Sequence, residues 1–264
     1  MDESIKQLQQ MIDKSSRIVA FTGAGCSTES GVPDFRSPDG LFNSGTNYPN
    51  TTESGIPDFR SVDGLYHQRF DLPPETILSH SYFMRNPEGF YRFYREKMVW
   101  PEARPNAAHR KLAELEAAGR LTAVITQNID GLHQMAGSRT VYELHGSTLR
   151  NFCMKCGKFY TKEELLALPG VPRCSCGGII KPDVVLYEEA LDGDTVDGAV
   201  RALSAADLVI VGGTSLVVYP AAGLLDYTRA PVVLINKSAT AYDGRAALVI
   251  ARPIGEVLSR ITVR

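Results

Sequence analysis

The chain lacks any apolar run approaching the ~18 residues that a bilayer span needs, so nothing in it reads as a transmembrane helix. It has no excess of either charge: 28 Lys and Arg against 30 Asp and Glu leave a net charge of -2. That balance gives no electrostatic case for gripping nucleic acid or an anionic membrane. The first residues, MDESIKQLQQMIDKSS, are polar, without the basic and apolar regions of a secretion signal, and a cytoplasmic protein is expected. Cysteine is scarce and odd in number, five in 264 residues, yet four fall within 24 positions. Without an export signal, that crowding suggests thiolates on a metal rather than disulfides. At 44% hydrophobic and 22% charged, the composition excludes disorder, collagen and coiled coil.

What is present alternates. RIVAFTGAG (17–25), LTAVITQN (121–128), DLVIVGGTS (207–215) and PVVLINKS (231–238) are apolar runs that each stop at a polar or glycine segment, and ALVIA (247–251) is a further candidate. Runs this uniformly apolar suit parallel strands covered on both faces. Between them, residues 5–15 and 106–119 carry apolar side chains at helical spacing, the latter with Asn106 as N-cap and Gly119 past its end; IGEVLSRI (254–261) closes the chain as a helix. The pattern predicts an α/β doubly wound fold with its ligand at the carboxyl ends of the strands. Residues 37–100 read as a lid of helices and loops, and residues 150–186 as an insertion holding the cysteines. Within the lid, TESGVPDFRSPDGLF (28–42) recurs as TESGIPDFRSVDGLY (52–66), identical at 12 of 15 positions. Two copies are too few for a solenoid. A duplicated loop is the simpler account, since doubling loop length costs only about 0.6 kcal/mol.

Cys153-x2-Cys156 and Cys174-x-Cys176 suit a structural zinc: four thiolates complete a tetrahedron and leave no position for water. The alternative is four free cysteines. Gly23 and Gly25 allow close backbone approach to a phosphate, with the following helix start offering N–H groups; the fingerprint is partial, and a tight structural turn explains it as well. Gln127, Asn128 and Asp130 form a polar cluster past a strand, fit for ribose hydroxyls or a carboxamide, or else a helix cap. His145, where strand gives way to turn, suits a general base or a structural role. His109 and His133 read as packing or capping residues, His67 and His80 as solvated, and Cys26 as a small packed residue.

In order, GAGCSTESGVPDFR, TQNIDGLH, ELHG, the four cysteines, KPDVVLY, GGTSLVVYPAA and INKS resemble the sirtuins, NAD-dependent protein deacylases. The resemblance covers nearly the whole chain. It implies a Rossmann-like large domain (1–36, 101–149 and 187–264), a cofactor-loop and helical lid (37–100) and a zinc module (150–186). NAD would lie between the domains. Ala24 and Thr28 would line its phosphate side, with Asp34, Phe35 and Arg36 from the cofactor loop. Gln127 and Asn128 would meet the nicotinamide ribose; Ile129 and Asp130 would hold the carboxamide. Thr214, Ser215 and Asn236 would hold the adenosine half, with Gly213, Lys237 and Ile254 beside them. The implied reaction has the acyl-lysine oxygen attack the nicotinamide ribose, with His145 as general base on the ribose hydroxyls and Asn128 as the second catalytic residue. The products are lysine, nicotinamide and O-acyl-ADP-ribose. An acetyl-lysine protein or peptide would add as a strand between Val184, Val185 and Tyr187 on one side and Val217 on the other. Two departures bear on substrate choice: Glu188 replaces a usual glycine, and Tyr94 stands where succinyl-preferring members carry arginine, followed by Arg95. Acetyl is therefore the expected acyl group. The first PDFR, Asp34 to Arg36, is expected to serve NAD rather than the second, Asp58, Phe59 and Arg60. Competing readings are a mono-ADP-ribosyltransferase or NAD hydrolase, and a non-catalytic NAD or ADP-ribose module; a dehydrogenase fits poorly.

Overall fold

The structure, a computed structural model, describes residues 2–34 and 72–263. Phe35, Arg36, Asp58, Phe59, Arg60, His67 and the second PDFR copy lie outside them. The described strands are β1 (Ile18–Thr22), β2 (Leu121–Thr126), β3 (Val141–Glu143), β4 (Gly146–Cys153), β5 (Phe159–Thr161), β6 (Ile180–Val184), β7 (Leu208–Gly212), β8 (Val232–Ile235) and β9 (Leu248–Ile250). The α-helices are α1 (Glu3–Lys14), α2 (Pro74–Ile77), α3 (His80–Arg85), α4 (Pro87–Phe93), α5 (Ala107–Ala117), α6 (Leu132–Met135), α7 (Lys162–Ala167), α8 (Gly193–Ala205) and α9 (Ile254–Ser259). The chain forms two compact units, one of residues 1–32, 102–147 and 191–264, the other of 33–101 and 148–190.

The first unit is built on a six-stranded sheet in the order β3-β2-β1-β7-β8-β9, with every neighbouring pair parallel. Counting only these six strands, the order is 3-2-1-4-5-6, that of dinucleotide-binding α/β folds. Every residue of β1, β7 and β8 is buried. Successive side chains on a strand point to opposite faces, so both faces must be covered. Ile18, Ala20, Leu208, Ile210, Val233 and Ile235 pack against Ile5 and Leu8 of α1, Leu112 and Leu115 of α5, and Val257 and Leu258 of α9. The alternate residues Val19, Phe21, Val209, Val211 and Leu234 pack against Ala199 and Leu203 of α8 and Leu224 and Leu225 of the turn at Ala221–Tyr227. Each fully buried aliphatic or Phe side chain contributes about 1.5–3 kcal/mol. Helix α5 starts at a reciprocal cap: Asn106 Oδ1 accepts from the backbone of Ala108 and His109, and Asn106 N donates back to His109 Nδ1.

One local expectation changes, and one strand finds its place. No α-helix follows Gly25: residues Ala24–Cys26 and Thr28–Ser30 form short 3-10 turns, ended by Gly31 at φ 81°. Val141–Glu143 within TVYELHGS is a further parallel strand, at the edge of the large sheet.

The second unit holds a three-stranded sheet, β5-β4-β6, with β4 and β5 antiparallel, and an aromatic cluster from α3, α4 and the π-turn Tyr94–Met98. Phe83, Phe90, Tyr91 and Tyr94 meet edge-on or stacked and are all buried. Tyr91 Oη donates to the carbonyl of Ile180. Arg95 donates to the carbonyls of Leu168 and Gly170 at 2.7 and 2.6 Å.

Candidate active site

The sheet reverses its winding between β1 and β7, and a crevice at such a switch point is where open α/β sheets take ligands. The turns following these two strands interlock. Gly23 N donates to Gly212 O and Gly25 N to Gly213 O, at 3.2 and 2.8 Å. Cys26 N and Ser27 N donate to Gly23 O and Ala24 O. The amides expected from a helix start are thus largely engaged within the turns. Gly213 has φ 63°, and a Cβ there would stand 2.1 Å from Cys26 N; only glycine fits. The result is a floor without side chains, on which Ala24 and Gly25 stay partly exposed, and that suits a dinucleotide phosphate.

The polar segment after β2 is tied to both turns. Gln127 Nε2 donates to Thr214 Oγ1 at 3.1 Å. Asn128 Nδ2 donates to Ser27 Oγ at 2.9 Å, and Ser27 Oγ donates to Asp130 Oδ2 at 2.6 Å. Asp130 Oδ1 also accepts from Leu132 N, so Asp130 joins the network and caps the turn before α6. Asn128 and Thr214 are buried. Ser27 was not singled out in the sequence; only its place right after GAGC could have marked it.

His145 sits in the tight turn between β3 and β4. Its Nδ1–H donates to the carbonyl of Gln127 at 2.9 Å, which leaves the lone pair on Nε2. Burial pushes its pKa below the usual imidazole value, against the opposing pull of that carbonyl. The ring is therefore a neutral base near neutral pH.

The other expected positions scatter more. Thr28 Oγ1 donates to Gly25 O. Ser215 and Lys237 are exposed, and Asn236 Nδ2 donates to Ser238 O. Ile254 is buried, its Cδ1 2.1 Å from where a Gly212 Cβ would stand, so it supports the end of β7 from the core. Ile129 and Asp34 are only partly buried. Val217 is 56% exposed. In the second unit Val184 is buried and Tyr187 exposed. The Tyr187 backbone is engaged: its N donates to Leu78 O and its O accepts from His80 N.

One residue there answers differently from expectation. His80 is not simply solvated, because Nδ1 meets Glu189 Oε1 at 2.8 Å. Glu189 Oε2 accepts from Lys181 Nζ. Glu188 has φ 76°, the left-handed backbone a glycine would take without cost. Its carboxylate accepts from Ser81 N and Oγ, anchoring the strained residue at the start of α3.

The four module cysteines converge. Cys153 Sγ and Cys176 Sγ are 3.4 Å apart, Cys156 Sγ and Cys174 Sγ 3.6 Å, and all four sulfurs lie within 4.8 Å of one another. Tetrahedral zinc with Zn–S of about 2.3 Å sets sulfurs roughly 3.8 Å apart, so the donor set fits. Gly178 is required at the second knuckle: a Cβ there would meet Cys153 Sγ at 2.7 Å. A second group the sequence did not reveal is Cys26, His109 and His133, brought together from β1's turn, α5 and α6; burial holds His109 and His133 down to about 4 and about 3.

The sequence model of the Sir2 family matches residues 50–220. The chain belongs to the Sir2 family. The match takes in the second PDFR copy and omits the first. Among Sir2 relatives, the NAD-dependent protein deacetylase of Clostridium perfringens is 52% identical over 264 residues, covering 99% of both chains. That of Clostridium acetobutylicum is 51% identical over 262 residues, 98% of both. A solved Sir2 with p53 peptide and NAD+ superposes with a TM-score of 0.79 at 36% identity, over 98% of this chain and 97% of that one. A Sir2 bound to acetylated peptide gives 0.79 at 34%, with the same coverage. No helix among the described residues is long and apolar enough to cross a membrane.

Proposed function

We propose that this Sir2 chain is an NAD-dependent protein-lysine deacetylase acting in the cytoplasm, where thiolates stay reduced. Acetyl-lysine, NAD and water become lysine, nicotinamide and O-acetyl-ADP-ribose. The observation that carries this reading is His145: a neutral imidazole with its Nε2 lone pair free, at the sheet edge that also holds the Asn128–Ser27–Asp130 network. NAD supplies the glycosidic bond to be broken and the sugar that accepts the acyl group. Gly23, Ala24, Gly25 and Thr28 would take its phosphates, Gln127, Asn128, Ile129 and Asp130 its nicotinamide half, and Gly213, Thr214, Ser215, Asn236 and Lys237 its adenosine half. His145 Nε2 would accept a proton from the ribose hydroxyls, and the Gln127 carbonyl would steady the imidazolium that forms. Ser27 holds the Asn128 amide and the Asp130 carboxylate in fixed orientation. Zinc on Cys153, Cys156, Cys174 and Cys176 would be structural.

Arg95 supports a neutral acyl group, because its guanidinium is already bonded to two carbonyls and is not presented to a carboxylate. Val184, Val185, Tyr187 and Val217 are the proposed peptide contacts.

The test is to incubate the chain with NAD and an acetyl-lysine peptide and identify products by mass. O-acetyl-ADP-ribose and nicotinamide should form in equal amounts, and His145→Ala should lower kcat/KM by about 10²–10⁴-fold. Nicotinamide release at the same rate without peptide would make the chain an NAD hydrolase instead.

A further inference from the structure

Besides the module sulfurs, one other group of metal-ligating side chains stands together among the described residues. Cys26 Sγ and one ring nitrogen from each of His109 and His133 lie within 4.8 Å of one another. Cys26 and His109 are fully buried and His133 is 1% exposed. The reaction proposed above uses none of the three.

Their hydrogen bonds divide the roles. His133 Nε2 and Thr22 Oγ1 are 3.0 Å apart, whereas His133 Nδ1 is buried with no partner. Leaving a buried polar atom unpaired is destabilising. In the tautomer whose Nε2–H donates to Thr22 Oγ1, Nδ1 is a bare lone pair, and a metal ion would select that tautomer. His109 Nδ1 accepts from Asn106 N at 3.2 Å, which puts the neutral ring's proton on Nε2, 4.0 Å from Cys26 Sγ. His109 is thus a donor toward the sulfur, not a second lone pair.

We propose that Cys26 Sγ and His133 Nδ1 hold a copper(I) ion, with His109 Nε2–H donating to the thiolate. A sulfur and an imidazole are soft and borderline ligands suited to Cu(I). With metal–sulfur and metal–nitrogen bonds of about 2.3 and about 2.0 Å, a linear two-coordinate ion spans roughly 4.3 Å, comparable with the 4.8 Å within which the ligand atoms of the group lie. Zinc would require four ligands, and this buried group offers two. Charge points the same way: thiolate and Cu(I) cancel, whereas a divalent ion would leave an uncompensated charge in the interior. Binding replaces the thiol proton, Cys26–SH + Cu⁺ → Cys26–S–Cu + H⁺, and no electron changes hands.

The zinc-loaded full chain, titrated anaerobically with Cu(I) delivered from its bicinchoninate complex, tests this while a chromogenic chelator follows zinc. One copper per chain should bind with release of one proton and no zinc, and its X-ray absorption should show one sulfur and one nitrogen. Cys26→Ala and His133→Gln should each weaken that equivalent at least 100-fold with zinc retained; Cys26→Ser gives a near-isosteric second variant. Uptake only as zinc leaves, or equal uptake in wild type and the variants, would overturn the site. The wild-type absorption spectrum decides even if a variant fails to fold.

Discussion

At the scale of single residues, the role proposed for His145 rests on a backbone contact. The Gln127 carbonyl takes its Nδ1–H and so leaves the lone pair on Nε2, while burial disfavours the charged ring. Protonation removes the lone pair, so activity should be lost as pH falls through the pKa of His145. Because that value is depressed, the acid limb of kcat/KM should have its midpoint below the ~6.5 of a free imidazole, with no further gain on this limb from neutral pH upward. A midpoint at or above that of free imidazole would show that a different group is the base. The residue type and its place before a turn were legible in the sequence. Its tautomer was not, because Gln127 lies 18 positions away. Ser27 and the Cys26–His109–His133 group went unread for the same reason, since their partners lie 83 to 111 positions off.

At the scale of elements, the cysteine knuckles show how little apolar burial the small sheet has. Phe152 and Phe159, a cross-strand pair on β4 and β5, are exposed, so the sheet depends on crosslinking at its end. Removing zinc with a chelator should raise amide hydrogen exchange over residues 148–190 and leave the six-stranded sheet protected. Full protection of a metal-free chain would refute a structural zinc. The spacing of the cysteines made this site readable, since four thiolates in 24 residues have few other uses. The turn after β1 was less readable: glycines permit both a helix start and 3-10 turns, and the interlock with Gly213 that chooses between them is a long-range contact. The duplicated segment is a question of the same scale. Arg36→Ala is expected to weaken NAD binding about tenfold or more, and Arg60→Ala little, if the copy directly following the turn serves the cofactor; isothermal titration of both variants reverses the assignment if only Arg60→Ala loses affinity. The family match beginning at residue 50 makes that comparison worthwhile.

At the scale of the whole molecule, the parallel sheet was legible because β1, β7 and β8 are apolar on both faces, which only helices on two sides explain. Strand order was not, since alternation of strands and helices allows several windings. The short strand before His145 was legible, but its place at the sheet edge was not, because Val141, Tyr142 and Glu143 carry no apolar run. The order has a consequence for biogenesis. Strand β1 lies between β2 and β7, and Ile18 pairs with Leu208, so the ribosome must translate most of the message before the first strand made receives its second neighbour. Until then the nascent chain carries an open edge and a bare apolar surface of the kind that recruits chaperones. A polypeptide stopped at Ala206 should sediment with trigger-type holdases or aggregate, while extension through β9 should release it; equal behaviour of the two lengths in a translation and pelleting assay would show that synthesis and sheet closure are uncoupled.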